Sequence, residues 1–152
     1  MKKTIVVPVL ALVFSAAVLV PVSLSQSDTS QTVQYVQIIK RLTLKGQVGS
    51  VPPTTLFKPS ATGLYRVAAY AVTTTPDPTA TGSIVQTYSW FDGTASQGTS
   101  SRGFCLFSTG CFESFSTVIR AQAGQPVTYT LQLIGGTQGN SVYSWFVTVE
   151  KL

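Results

Sequence analysis

Histidine is absent from all 152 residues. That removes the Ser-His-Asp and Cys-His nucleophilic sets, together with the commonest nitrogen ligand for metals. Carboxylates are nearly as scarce: Asp28, Asp77, Asp92, Glu113 and Glu150 are the full set of five. Asp28 falls in a polar lead-in, Asp77 and Asp92 in turn sequences, and Glu150 on the polar side of a strand pattern. Asp92 with Glu113 is the one pair that could be tested as a glycosidase-type acid and base, and turn former plus strand end is the stronger reading of it. The single asparagine, Asn140, precedes Ser141-Val142 and is no glycosylation acceptor. Neither Gly46-Gln47-Val48-Gly49-Ser50 nor the stretch 135–140 ends in the Lys-Ser/Thr of a phosphate loop. No catalytic set, metal or cofactor is therefore expected, and the chain is read as a non-enzyme.

Charge is sparse, with ten Lys/Arg and five Asp/Glu. Two of the cations, Lys2 and Lys3, precede an uncharged apolar run, Ile5 to Val22, and then Ser23-Leu24-Ser25. Basic head, apolar middle and small residues at a cleavage point make the three-part pattern of a secretory signal over 1–25. An uncleaved membrane anchor is the alternative, because 5–22 is at the lower limit for spanning a bilayer. Pro8 and Pro21 favour the cleaved signal, and no cysteine follows the run to carry a lipid. Eight cations then remain against five carboxylates in residues 26–152. Only Lys40, Arg41 and Lys45 cluster, as a solvated strand end, so no nucleic-acid surface is expected.

Two cysteines are present, Cys105 and Cys111, in Phe-Cys-Leu-Phe-Ser-Thr-Gly-Cys-Phe. Ser108-Thr109-Gly110 is turn chemistry, and outside the cytoplasm the pair is expected as one loop disulfide. So short a loop contributes only about 2 kcal/mol through chain entropy. Its main work is to shape the loop.

After the lead-in (26–32), the domain 33–152 reads as short strands separated by turn clusters. Strands are predicted over 33–44, 54–58, 64–75, 83–91, 104–108, 112–120, and a final hairpin beginning at Val127. The nearly continuous apolar stretch Leu64–Thr75 predicts a strand buried on both faces. In the hairpin, Val127, Tyr129, Leu131 and Leu133 alternate with polar residues, as do Tyr143, Trp145, Val147 and Val149. Residues 94–103 read as an exposed loop. The fold expected is all-β: a two-sheet, jelly-roll-type sandwich of about eight to ten antiparallel strands, preceded by an apolar signal or anchor helix.

Leu56-Phe57, followed by Gly63-Leu64-Tyr65-Arg66-Val67, resembles a strand signature of tumour-necrosis-factor-like jelly rolls, a group that includes complement globular heads. Ala123-Gly124-Gln125-Pro126-Val127-Thr128-Tyr129 and the closing Val142–Glu150 segment resemble their late strands. Bacterial secreted and phage-particle proteins with a similar module share this order. The resemblance covers about residues 55–152. It implies a homotrimer with exposed loops that bind a partner, but no calcium site, because acidic residues are too few. Tyr88, Trp90, Tyr143 and Trp145 are the candidate interface or ligand aromatics, with a place in the core or at a subunit interface the stronger reading over a ligand platform. An exported, self-associating interaction module is the leading expectation. A lectin-like module binding a surface glycan or a protein partner through loops 92–103 and 135–140 is the alternative.

Overall fold

The computed structural model describes residues 36–152. The leader, the lead-in and the first residues of the opening strand lie outside them. Nine strands follow: β1 (Gln37–Gln47), β2 (Val51–Phe57), β3 (Gly63–Thr75), β4 (Ser83–Phe91), β5 (Ser96–Ser100), β6 (Phe104–Cys105), β7 (Phe112–Ala121), β8 (Val127–Ile134) and β9 (Val142–Lys151). They form two antiparallel sheets. One has the order β1-β9-β3-β7; the other has β2-β8-β4-β5, with β6 also on β4. The chain is an all-β, two-sheet sandwich, with no helix among the described residues.

Each inner face is built by period-two patterning. Tyr65, Val67, Ala69 and Ala71 of β3 point inward, as do Tyr143, Trp145, Val147 and Val149 of β9. Val127, Tyr129 and Leu131 of β8, with Ile84 and Tyr88 of β4, close the core from the other sheet. Tyr129 stacks on Trp145 with centroids 4.6 Å apart, so the two sheets meet through an aromatic pair.

Several expectations change. Leu64–Thr75 is not buried on both faces: Leu64 and Tyr70 are 50% and 43% exposed. The long apolar run misled because alanines and valines occur in both phases. Val127–Ile134 and Val142–Lys151 are not partners in a hairpin. β8 pairs with β2 and β4, whereas β9 pairs with β1 and β3. The glycine-rich segment between them crosses from one sheet to the other. The expected loop 94–103 contains β5, five residues of Ser, Gln, Gly and Thr paired to β4. Thr87 and Ser100 hydroxyls meet at 2.9 Å there, a polar cross-strand pair that stands in for apolar packing. β2 begins earlier than expected and includes Pro52 and Pro53. Both are tolerated because β2 is an edge strand whose register slips between Val51 and Thr54.

The edge strand opposite β4 is broken into β5 and β6. Ser101 N–H donates to the Gln86 carbonyl at 2.9 Å, and the Gln86 N–H donates to Ser101 Oγ at 3.2 Å. Gly103 (φ +92°) then presses against the β4 backbone, where a Cβ would lie 2.9 Å from a Val85 methyl. This is a bulge position that only glycine fits.

At the centre of the core lies an amide. Gln86 is completely buried. Its Oε1 accepts from the Tyr88 hydroxyl and from Trp145 Nε1, each at 2.9 Å. Its Nε2 donates to Glu113 Oε2 at 3.4 Å, and Glu113 Oε1 accepts the Gly103 N–H at 2.9 Å. One side chain thereby joins β4, β7, β9 and the bulge. Replacing it with an apolar residue orphans two buried donors, at about 1–3 kcal/mol each. Gln86→Leu is expected to lower unfolding free energy by about 3 kcal/mol in urea titration. Adding Tyr88→Phe should recover about 1 kcal/mol of that loss, because it removes one of the orphans.

Candidate functional site

At one end of the sandwich, polar side chains tie four loops together. Ser141 Oγ donates to the Leu106 carbonyl at 2.9 Å and accepts the Asp77 N–H at 3.0 Å. Gln138 Nε2 donates to the Ser141 carbonyl at 2.6 Å, while its Oε1 accepts the Gly49 N–H. Tyr143 OH donates to the Gly49 carbonyl at 2.8 Å. Cys105 and Cys111 sit at disulfide distance in this end, with Cα atoms 5.4 Å apart. Thr73 holds both sides of their loop, its hydroxyl donating to the Cys105 carbonyl and its N–H to that of Cys111.

Among the described residues, Asp77, Asp92 and Glu113 are each engaged by donors of their own. Asp77 accepts from the Asn140 N–H and from the hydroxyl and N–H of Thr79, which hold its pKa below the ordinary carboxylate value. Asp92 accepts from Ala95, Thr94 and Gln97, and its pKa is lowered further by that saturated turn. Glu113 serves the Gln86 node. Asp92 and Glu113 are thus committed to separate sets of donors, and the pair is a turn former and a core anchor.

Of the four candidate interface or ligand aromatics, Tyr88, Tyr143 and Trp145 are fully buried inside the sandwich. This places them in the core and corrects the surface assignment: they share the strand phase of the core valines, so they face the opposite sheet. Trp90 alone reaches a surface. It lines a shallow recess of about 210 Å³ with Phe91 and Pro126 and with the neutral hydroxyl and amide side chains of Ser89, Ser96, Gln97, Gln125 and Thr128. The 92–97 turn belongs to this recess. The 135–140 loop belongs to the polar end described above.

The exposed aromatics are others. On the outer face of the four-stranded sheet, Phe112, Tyr70 and Phe146 form a row across β7, β3 and β9. Their centroids lie 6.1 and 6.3 Å apart. Phe112 is 62% exposed. Leu64, Val118 and Ile38 extend the apolar character along the same face, all three exposed. Arg66 and Glu150 are opposite one another in register and pair at 3.1 Å within it. That pair neutralises the face but adds less than about 1 kcal/mol to stability. The signal that could have found the row is phase: Phe146 lies between Trp145 and Val147, so alternation turns it outward.

Burial pushes the Tyr143 hydroxyl up to about 12 from an ordinary 10.0, and desolvation raises Tyr88 further. Both groups must ionise more easily once unfolded. Both contributions to stability are whole below pH 10.0; that of Tyr143 is lost as pH rises through about 12, and that of Tyr88 at higher pH still. Alkaline titration is expected to show the tyrosinate absorbance of these two residues appearing together with loss of β-sheet circular dichroism. Ionisation of all six tyrosines near pH 10 with the fold intact would contradict it. No protein-family model matches this chain, and no curated protein is significantly similar to it.

Proposed function

We propose that this chain is an exported, non-enzymatic structural module that self-associates through the outer face of its four-stranded sheet. The observation that carries the reading is the Phe112–Tyr70–Phe146 row, set among Leu64, Val118 and Ile38. Contiguous apolar surface of this kind, rimmed by polar residues, is the usual mark of a protein contact. The strand order supports a jelly roll: setting aside the two-residue β6, successive strands alternate between sheets except at the β4–β5 hairpin. The number three comes from the resemblance to tumour-necrosis-factor-like heads, which pack as homotrimers. Export rests on the 1–25 pattern and agrees with the paired cysteines.

A second reading is favoured by one feature, the Trp90 recess. An indole beside five neutral hydroxyl and amide groups suits a neutral sugar ring, stacked on one face and hydrogen-bonded at its edge.

Light scattering on the exported protein at micromolar concentration is expected to give three times the chain mass. Tyr70→Glu should yield a folded monomer, because the substituted side chain lies on the outside of the sandwich. A monomeric unmodified protein would overturn the self-association. Glycan binding abolished by Trp90→Ala, with the oligomer intact, would establish the second reading. Mass spectrometry of the exported chain is expected to find Gln26 as its first residue, and an intact Met1 would show the anchor instead.

A further inference from the structure

A recess of about 270 Å³ opens at the opposite end from the disulfide. Register explains its composition. Gln37, Lys151 and Tyr65 are successive cross-strand partners on β1, β9 and β3, in the phase that faces between the sheets. Ile39 of β1 adds an aliphatic side chain, and Phe57, Lys58 just past the end of β2, and Ser60 line the recess from the other sheet. Phe57 and Tyr65 pack with centroids 5.3 Å apart and make an aromatic floor. The Tyr65 hydroxyl already donates to the Ala61 carbonyl, leaving the rim to Gln37, Lys58, Ser60 and Lys151. Two of those are ammonium groups. No carboxylate lines the recess, and neither lysine has an ion-pair partner among the described residues. Glu150, next to Lys151 in sequence, points to the other face and is held by Arg66.

We infer that this mouth of the sandwich binds a single carboxylate-bearing sugar ring, the uronate unit of an acidic polysaccharide. Two cations without a local counterion select the carboxylate. Amide and hydroxyl groups at the rim suit ring hydroxyls, the aromatic floor takes an apolar ring face, and the volume holds one ring. The site is separate from the outer sheet face and from the Trp90 recess, so it stands or falls independently of both.

Calorimetric titration of the protein with D-galacturonate is expected to give a dissociation constant on the order of 1 mM, as befits so small a ligand. D-galactose should bind at least about tenfold more weakly, and so should acetate, which carries the charge without the ring. Lys58→Gln is exposed and should weaken galacturonate several-fold without affecting the fold. With Lys151→Gln added, the loss should exceed about tenfold. Raising the salt from about 0.02 to 0.5 M should weaken binding in the unmodified protein, which provides the same information if the double variant does not fold. Equal binding of galactose and galacturonate would overturn the inference. So would acetate binding as tightly as galacturonate, or binding indifferent to both Lys58→Gln and salt.

Discussion

A buried glutamine organises this sandwich. Most of its interior is aliphatic and aromatic, and such a core tolerates small slips of one sheet over the other. Gln86 removes that freedom, because its amide must meet the Tyr88 hydroxyl, the Trp145 indole and the Glu113 carboxylate together. Trp145 and Glu113 belong to the four-stranded sheet and Gln86 to the other. Shifting either sheet by one residue would leave several polar groups unpaired in a dry interior, each a costly loss. The bulge at Gly103 is drawn in by the same carboxylate, so the break between β5 and β6 and the registration of the sheets have one origin.

A second network, at the disulfide end, fixes loops instead of sheets. Ser141 and Gln138 satisfy backbone groups of Gly49, Asp77 and Leu106, none of which has a strand partner. Those donors and acceptors are consumed internally. The opposite end is less committed. Both recesses open there, one neutral around Trp90 and one cationic around Lys58 and Lys151. The molecule thus divides into a closed pole, an open pole and an apolar flank.

Strand identity was legible where alternation was clean, as in Val127–Leu133 and Tyr143–Val149, and where turn residues bounded a run. Pairing was not. β8 and β9 look like a hairpin because they adjoin and share a pattern, yet alternation says which face is buried and nothing about which sheet owns the strand. β5 was missed because Ser, Gln, Gly and Thr carry no apolar signal, and it is held by backbone ladder bonds to β4. The disulfide partners and the turn-forming roles of Asp77 and Asp92 could be read from local chemistry. Glu113 could not, since its partners lie 10 and 27 residues away in sequence. Among the aromatics, phase relative to the valines separates core from surface: Tyr143 and Trp145 share it with Val147 and Val149, whereas Phe146 does not.

The prolines of β2 bear on how such molecules can accumulate without tangling. Pro52 and Pro53 lie on an outer margin of the five-stranded sheet, where a neighbour could otherwise continue the backbone ladder. A proline cannot donate to such a neighbour, and two in succession blank out a stretch of that margin. Along β1, the corresponding margin of the other sheet, Lys40, Arg41 and Lys45 are exposed and would repel a second copy of themselves. Lateral growth into ribbons is therefore discouraged along both of these margins, while the broad side of the four-stranded sheet stays open. Contacts made broadside can close into a finite cluster; ladders added at a margin have no natural end. A protein with so few charges to keep it dispersed gains its protection against runaway polymerisation from where its prolines and lysines fall.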